Sequence, residues 1–521
     1  MLLIQVRPAA MLKHIRLLPG LIALAANAAT AVENSYELLQ PALDESGMPL
    51  TRPYEGDVYP VTRLADDSLR PSLARLFEAG FPRAMLALDQ RARDIAGVPG
   101  SDCMGLADRT LIYLSPEDGG YAREGFWFSE GEAELRFCKL HYIDVTADAD
   151  AIDDGSLEEL LAHEMAHVWL RRLVGDLPAG ASRTFHSAFA VTDYVTAFDE
   201  GFAIAMQPLS EQYSRTGQLA AQAWGAAAPD AADLWFSRID RRARKDGVRR
   251  NDFIHRPVAN GPGRDGVAAF DPRSLKSGQE MLASEGLVGT VVYRLLTSQA
   301  LPAQSCQELP GLPAPASCRL DRLFETLHEM RHEVSAERSP LVLLLEHYAR
   351  RYSGERAAVY RLFAETTFGA TVDQRLRQTA LLAMQSGADG DLERFVPALR
   401  HLRLGLATAA DKVIQGSSPL DAAAGPQLWL AVPAKLLREA PWSGKPALPL
   451  TVNLNTALAD EFMAAGLGAE SASALLASRD EDGAFRSLAD AIERAKLEAR
   501  DAELLRDAEK AFAALPPYRR R

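Results

Sequence analysis

Residues 156–174 read SLEELLAHEMAHVWLRRLV and form the most informative stretch of this 521-residue chain. Within it, His163-Glu164-Met165-Ala166-His167 is an HExxH motif. Histidines four residues apart lie on one face of a helix, one turn apart, so both imidazoles can reach the same Zn²⁺. Glu164 lies beside His163 and is placed to accept a proton from zinc-bound water. The motif therefore predicts a catalytic zinc site on a helix.

The residues around this motif predict where its helix begins and ends. Ser156 and Glu159 have the spacing of a capping box, in which the serine is the N-cap and the glutamate reaches back to it. Gly175 is typical of the end of a helix. We therefore expect one helix from Ser156 to about Val174.

A catalytic zinc needs a third protein ligand and one open position. The Gly and third His that extend HExxH in metzincins are absent, since Leu170 and Leu173 occupy those positions. Further along, residues 199–203 read DEGFA, which resembles the NEGFA-type signature of gluzincins of the aminopeptidase N group. That signature supplies a glutamate ligand, so the resemblance implies that Glu200 is the third ligand of the zinc.

The spacing between the two motifs departs from that family. Thirty-two residues separate His167 from Glu200, against eighteen in the family pattern, and the family spacing falls on His186. Two ligand sets therefore stay open: an insertion precedes Glu200, or His186 is the ligand. Asp199 is either the partner that orients a zinc-bound imidazole or the N-cap of its helix. No GAMEN-like segment marks a free-amine exopeptidase site, so the resemblance implies the metal chemistry and not aminopeptidase specificity.

The resemblance implies a zinc metallopeptidase in which Glu164 also delivers the proton to the leaving amine. Enzymes of this kind usually add a Tyr or His donor for the oxyanion. Tyr293, in the helical segment ASEGLVGTVVYRLL, is the first candidate for that donor, followed by His255 and Tyr194. Each of the three has the alternative role of a packed or capped residue.

Two further features lie in the same part of the chain. Glu285-Gly286 begins the segment that contains Tyr293 and is a candidate for facing the cleft. The basic run RIDRRARKDGVRR at Arg238–Arg250 predicts either a solvated helix face or a rim that attracts acidic substrates.

The first 31 residues have the order of an export signal. Arg7, Lys13 and Arg16 accompany an apolar stretch from Leu17 to Ala26, and small residues then offer cleavage sites. The apolar stretch is shorter than the ~18–20 residues of a membrane-spanning helix. No later segment is long and apolar enough to span, so we expect a periplasmic or secreted protein with no transmembrane segment in the mature chain.

Export makes disulfides the expected state of the four cysteines. Cys306 and Cys318 bracket a Pro-rich loop, and Cys103 and Cys138 flank an apparent strand. Pairing as 103–138 and 306–318 is therefore predicted among the three connectivities. The chain has no C-x-x-C motif, the spacing that would indicate a cysteine metal site.

The carboxyl-terminal segment resembles a second known unit. Residues 451–492 resemble the helix-hairpin-helix of competence-type DNA receptors, through Asn453–Ala457, the Gly466-Leu467-Gly468 hairpin and Arg479. From Thr451 to Glu493 the chain has eight acids and two bases, a net charge of −6. Because duplex DNA binding depends on cationic contacts to phosphate, this charge favours a protein-contact or packing role over DNA binding. The net charge of the whole chain, −13, points the same way.

These features predict an α+β protein, mostly α: a zincin-type active-site domain with a β-sheet edge and a helical second half, plus a small all-α helix-hairpin-helix module. Residues 101–147 are expected to supply the strands. The expected divisions are 1–31 signal peptide, 32–300 zincin-like metallopeptidase domain, 301–440 helical domain, 441–450 linker, 451–495 helix-hairpin-helix module and 496–521 helical tail.

The expected function is that of an exported zinc-dependent peptidase acting on a peptide or protein substrate. Residues 451–495 are the expected contact for a protein partner. The alternative is an envelope DNA-associated or protein-binding module in which the zinc site is vestigial.

Overall fold

The fold is taken from a computed structural model, which describes residues 35–65, 68–97, 103, 105–115, 120–129, 135–147, 152, 155–183, 188–214, 244–256, 270–302, 308–431 and 451–516. The expected signal peptide and the expected linker lie outside the described residues. Within the described part of the chain, no helix is both long enough and apolar enough to cross a bilayer.

Six strands from the first third of the chain form one sheet: β1 (Tyr36–Pro41), β2 (Thr51–Tyr54), β3 (Asp57–Leu64), β4 (Thr110–Leu114), β5 (Tyr121–Phe128) and β6 (Arg136–Val145). Their order is β1-β4-β6-β5-β3-β2, and β1 also pairs with β3. This additional pairing closes five strands into a small barrel, and β2 is attached to β3 on the outside. The expectation of strands within residues 101–147 is confirmed by β4, β5 and β6.

Large apolar side chains fill the inside of this barrel, among them Tyr113, Phe126 and Tyr142. The Cys103–Cys138 disulfide lies in the same core, with Cα atoms 5.8 Å apart, so this predicted pairing is confirmed. A disulfide is compatible with an oxidising compartment. Cys306 lies outside the described residues, so the 306–318 pairing stays a prediction.

Helices form most of the remaining body: α1 (Arg70–Leu76), α2 (Gly80–Ala96), α3 (Ser156–Val174), α4 (Tyr194–Gln212), α5 (Gly278–Leu282), α6 (Glu285–Thr297), α7 (Ala314–Met330), α8 (Pro340–Arg351), α9 (Arg356–Thr366), α10 (Gln374–Ala388) and α11 (Leu392–Ile414). Helix α3 packs against β5 and β6 on one side and against α2 and α4 on the other, and α4 packs on α6. The mixed α and β architecture, with helices dominant, confirms the predicted class.

A glycine lets α4 and α6 approach closely. A Cβ on Gly201 would lie 2.6 Å from the Cβ of Val288 and 2.7 Å from the carbonyl oxygen of Glu285. Gly201 therefore faces α6, and Glu200, about 100° around the helix, faces α3 instead. The glycine of the DEGFA segment is thus explained by packing, and this packing sets the direction of the neighbouring glutamate.

The carboxyl-terminal module (residues 451–516) contains β8 (Thr451–Asn453), α12 (Ala459–Ala464), α13 (Ala469–Asp482), α14 (Leu488–Arg494) and α15 (Ala499–Ala513), and β8 pairs with β7 (Trp429–Ala431). Two helix pairs follow one another and share one apolar core. Helix α15 belongs to that core through Leu505 and Ala508, whereas the sequence placed it in a separate tail. The segments LAD at 458–460 and LAD at 488–490 mark the two pairs, thirty residues apart.

An ion network joins this module to the helical body. Asp480 of α13 accepts hydrogen bonds from Arg256 at 3.0 Å and from Arg377 at 2.9 Å. Glu280 of α5 accepts from Arg256 at 2.9 Å and lies 3.5 Å from Arg479. Burial raises the pKa of Glu280, but Arg256 and Arg479 outweigh it and lower that pKa to about 2. Arg479, one of the two bases of residues 451–493, is therefore committed to packing inside the chain.

We expect Glu280→Gln to destabilise the protein by about 3–5 kcal/mol, because it leaves buried guanidinium groups without their counter-charge. Chemical unfolding of the full chain measures this, with the exposed Glu503→Gln of α15 as a control that should change little. The pKa of Glu280 is lower in the folded chain than in the unfolded one, so its contribution is complete above about pH 4.5 and is lost as the pH falls towards 2. Equal stability of both variants would contradict this account of the interface.

Candidate metal centre

The HExxH residues lie on α3 as the sequence predicts. The helix spans Ser156–Val174 and ends at Gly175, whose φ of 84° suits a glycine. Its N-cap is Gly155 in the left-handed region, with Ser156 as the first helical residue. The predicted N-cap is therefore wrong by one position, and a glycine has no side chain with which to form the predicted capping box. The single uninterrupted helix places His163 and His167 one turn apart on the same face.

The helix that carries Glu200 begins earlier than the DEGFA segment suggests. Asp193 is the N-cap of α4, and its Oδ1 accepts hydrogen bonds from the backbone N–H groups of Val195 and Thr196 at 3.0 and 2.9 Å. Asp199 therefore lies in the second turn of α4 and is not its N-cap. Its Oδ1 instead accepts a hydrogen bond from Nδ1 of His167 at 2.6 Å.

Three side-chain atoms converge between α3 and α4 to form the candidate metal centre. The Nε2 atoms of His163 and His167 are 3.3 Å apart, and each lies 3.7 Å from Oε2 of Glu200. The equidistant point in the plane of the three atoms lies about 2.1 Å from each, within the ~2.0–2.2 Å of zinc–nitrogen and zinc–oxygen bonds. Among the described residues, this is the group of His, Cys, Asp and Glu side chains whose geometry suits a metal ion. Glu200 is therefore the acidic member of a group that could hold a metal ion.

The side chains around the candidate metal centre are buried and charged. Glu164, His167 and Glu200 are all buried. Burial lowers the pKa of His167, but the charge and hydrogen bond of Asp199 outweigh it and raise that pKa to about 9, with Glu200 and Glu164 contributing. Asp199 thus orients the ring so that Nε2 points towards the other two ligand atoms.

A cleft of about 320 Å³ opens beside the candidate metal centre. Strands β3 and β5 pair only at Val61 and Thr62 with Trp127 and Phe128, and before that point they separate. The cleft lies in this gap. Its walls are residues 57–60 of β3, residues 122–124 of β5, Tyr142 of β6, Arg171 of α3, the segment 176–180 after α3, and Val195, Thr196, Asp199 and Glu200 of α4.

The structure does not bring Tyr293 to this centre. Its hydroxyl donates a hydrogen bond to Gln212 at 2.9 Å. Gln212 lies twelve residues beyond Glu200 on α4, or about 18 Å along the helix axis. Tyr293 is therefore not placed as an oxyanion donor, because α6 carries it to the far end of α4.

The other candidate donors, His255 and Tyr194, and the candidate cleft residue Glu285 also lie away from the lining of the cleft. Nδ1 of His255 donates a hydrogen bond to the carbonyl oxygen of Ser274 at 2.7 Å. Tyr194 is buried in the first turn of α4, and Glu285 is buried where α6 begins. None of these three is among the residues that line the cleft.

Two remaining predictions fall partly or wholly outside the described residues. His186 lies outside them, so the alternative in which His186 is the third ligand stays a prediction. Of the basic run, residues 244–250 are described. Lys245 pairs with Glu159 at 3.0 Å, and Arg249 donates to Glu211. Lys245 and Arg249 therefore bind acidic groups of α3 and α4, whereas Arg250 stays 68% exposed and pairs with Asp246 of the same run.

The chain contains a second HExxH that the sequence analysis missed: His328-Glu329-Met330-Arg331-His332. Helix α7 ends at Met330, so His332 lies beyond the helix and the two imidazoles do not share a helical face. Nδ1 of His328 donates a hydrogen bond to the carbonyl oxygen of Leu173 at 3.2 Å. No Glu-Gly-x-Ala context follows this copy, and that absence is the sequence signal that separates it from the motif on α3.

Comparison with known proteins supplies no relative. No family model, curated protein or solved structure matches the chain. The geometry and chemistry of the described residues are therefore the basis for assigning a function.

Proposed function

We propose that the protein is an exported zinc-dependent peptidase of the gluzincin type, located in the periplasm or secreted. The observation that carries this proposal is the convergence of His163 Nε2, His167 Nε2 and Glu200 Oε2 to within 3.3–3.7 Å of one another, at the edge of a cleft. Two imidazoles and a carboxylate are a donor set that zinc prefers in hydrolytic sites. These three side chains would hold a metal ion through three protein ligands, which would leave a further position for water.

When bound, zinc supplies a Lewis acid that lowers the pKa of water to about 7. Glu164 follows His163 on α3 and is buried. In the proposed reaction its carboxylate would take a proton from the attacking water and pass that proton to the leaving amine. Asp199 holds the imidazole of His167 through the 2.6 Å hydrogen bond. These roles require no side chain from outside α3 and α4.

The cleft suits an extended peptide. Before Trp127, β5 pairs with β6 on one side, and residues 122–124 line the cleft on the other. An extended chain can add to such a strand edge through backbone hydrogen bonds, while side chains enter the space on either side. This arrangement would lay a peptide bond beside Glu200 and supports a peptide as the substrate class.

The test of the proposal is metal content together with peptide cleavage by the full chain. We expect about one zinc per chain by mass spectrometry of the metal, cleavage of members of a fluorogenic peptide library, loss of cleavage with a chelator, and its return with added Zn²⁺. A chain that binds no zinc, or that cleaves equally well after complete removal of the metal, would contradict the proposal.

We expect Asp199→Asn to weaken zinc binding by about 10- to 100-fold, because the hydrogen-bonding carboxylate that orients His167 is lost. The dissociation constant for Zn²⁺, measured by competition with a chelator, reports this effect. Asp176→Asn is the matched control, since Asp176 lines the same cleft but lies on the segment after α3. Equal affinity of both variants would show that Asp199 does not act through the imidazole.

A further inference from the structure

The segment that follows α3 is held from two sides by groups far apart in the sequence. The backbone N–H of Ser182 donates to Oδ2 of Asp193, the N-cap of α4, at 2.9 Å. On either side of Ser182, the N–H of Arg183 donates to the hydroxyl oxygen of Thr451 at 2.9 Å, and that hydroxyl donates to the carbonyl oxygen of Ala181 at 2.9 Å. Residues 181–183 therefore lie between α4 and the carboxyl-terminal module.

The central residues of these contacts are buried, and Ala181 and Arg183 on either side of Ser182 are partly exposed. Ser182, Asp193 and Thr451 are each at most 2% exposed. A Cβ on Gly180 would lie 2.7 Å from Oγ1 of Thr196 and 2.8 Å from Oδ2 of Asp193, so the segment lies directly against the first turn of α4. Because the side chains of Asp193 and Thr451 are buried, a lost partner would leave a polar group poorly solvated, which makes these bonds costly to break.

The same segment and the same helix turn form a wall of the cleft. Ala179, Gly180, Val195 and Thr196 all line it, and Asp199 and Glu200 follow on α4 within two turns. Thr451 thus contacts the wall of the cleft through 181–183, and through Asp193 it connects with the helix that carries Glu200. Arg183 adds a second contact, because its Nη2 donates to the carbonyl oxygen of Pro516 at 2.5 Å.

We propose that the carboxyl-terminal module is part of the peptidase site, and that Thr451 is a positioning residue for the cleft wall and for α4. This inference deepens the proposed function and rests on it for the catalytic measurement. The module would then serve substrate binding from within the chain. Loss of the Thr451 hydroxyl should loosen the wall without removing any group that touches the metal or the reacting atoms.

The experiment uses three full-length variants. Thr451→Val removes the hydroxyl at nearly constant volume, Thr451→Ser retains it, and Thr456→Val removes a hydroxyl from a buried threonine that makes no contact with 181–183 among the described hydrogen bonds. Amide hydrogen exchange is measured at residues 179–183 and 195–196. Zn²⁺ affinity, the visible spectrum of the Co²⁺-substituted protein, and kcat and KM on a cleaved peptide are measured alongside.

For Thr451→Val we expect exchange about threefold to tenfold faster at both segments, and KM raised by a similar factor with a smaller change in kcat. A shifted Co²⁺ spectrum would show that the change reaches Glu200. Thr451→Ser should behave like the native chain, and so should Thr456→Val.

Native exchange at 195–196 in Thr451→Val, or equal effects of both valine variants, would overturn the inference. The exchange measurement does not depend on zinc or cleavage. A native chain that binds no zinc would therefore contradict the proposed function alone, while the exchange data still decide whether Thr451 holds the wall.

Discussion

Replacing Glu164 by glutamine is expected to lower kcat for peptide cleavage by about 100- to 10,000-fold while leaving about one zinc per chain. Glutamine keeps the size of the side chain and its capacity for hydrogen bonds but cannot take up a proton. The metal should stay because the three converging atoms belong to His163, His167 and Glu200. Steady-state kinetics and metal analysis on the same preparation check both parts of this prediction.

The second HExxH of the chain provides a matched control. Glu329 occupies the same place in its motif as Glu164, yet its helix ends one residue later. Glu329→Gln should therefore leave kcat unchanged. If the two variants were equally active, Glu164 would not be the proton acceptor, and if Glu164→Gln lost its zinc, the loss of activity would have a different cause.

Local patterns in the sequence were sufficient to predict the relative positions of residues that lie on the same helix. The period of a helix places His163 and His167 on one face without reference to the rest of the chain. The DEGFA resemblance identified Glu200, and the structure accounts for its glycine through the close packing of α4 on α6. The Cys103–Cys138 pairing was predicted from two cysteines that flank an apparent strand, and the structure confirms it.

Features that depend on how distant elements meet were not predictable in this way. Barrel closure requires residues 39–41 to pair with 62–64, and the sequence of neither strand indicates which strand it will pair with. Tyr293 lies on a helix of the right character, but the direction of α6 along α4 decides which end of α4 it meets. The two HExxH copies have the same local pattern, and the point at which α7 ends separates them. The role of Thr451 depends on a contact across 270 positions of the chain.

Replacing Glu200 by alanine is expected to remove the bound zinc. Two imidazoles on one helix would remain, and they supply fewer ligands than a catalytic zinc site requires. The loss of affinity should therefore exceed the ~10- to 100-fold expected for a partner that only orients a ligand. Peptide cleavage should disappear with the metal, and added Zn²⁺ should restore little of it at concentrations that saturate the native chain.

His186→Ala is the comparison that decides between the two ligand sets left open by the sequence. We expect this variant to retain zinc and cleavage, because Oε2 of Glu200 already lies 3.7 Å from both imidazole nitrogens. Thermal unfolding in the presence of a chelator controls for damage to the fold in either variant. Retention of zinc by Glu200→Ala together with its loss from His186→Ala would assign the third ligand to His186. The DEGFA segment would then be a packed stretch of α4. Gly201 would still be required by the close approach of α6, but Glu200 would not be a metal ligand.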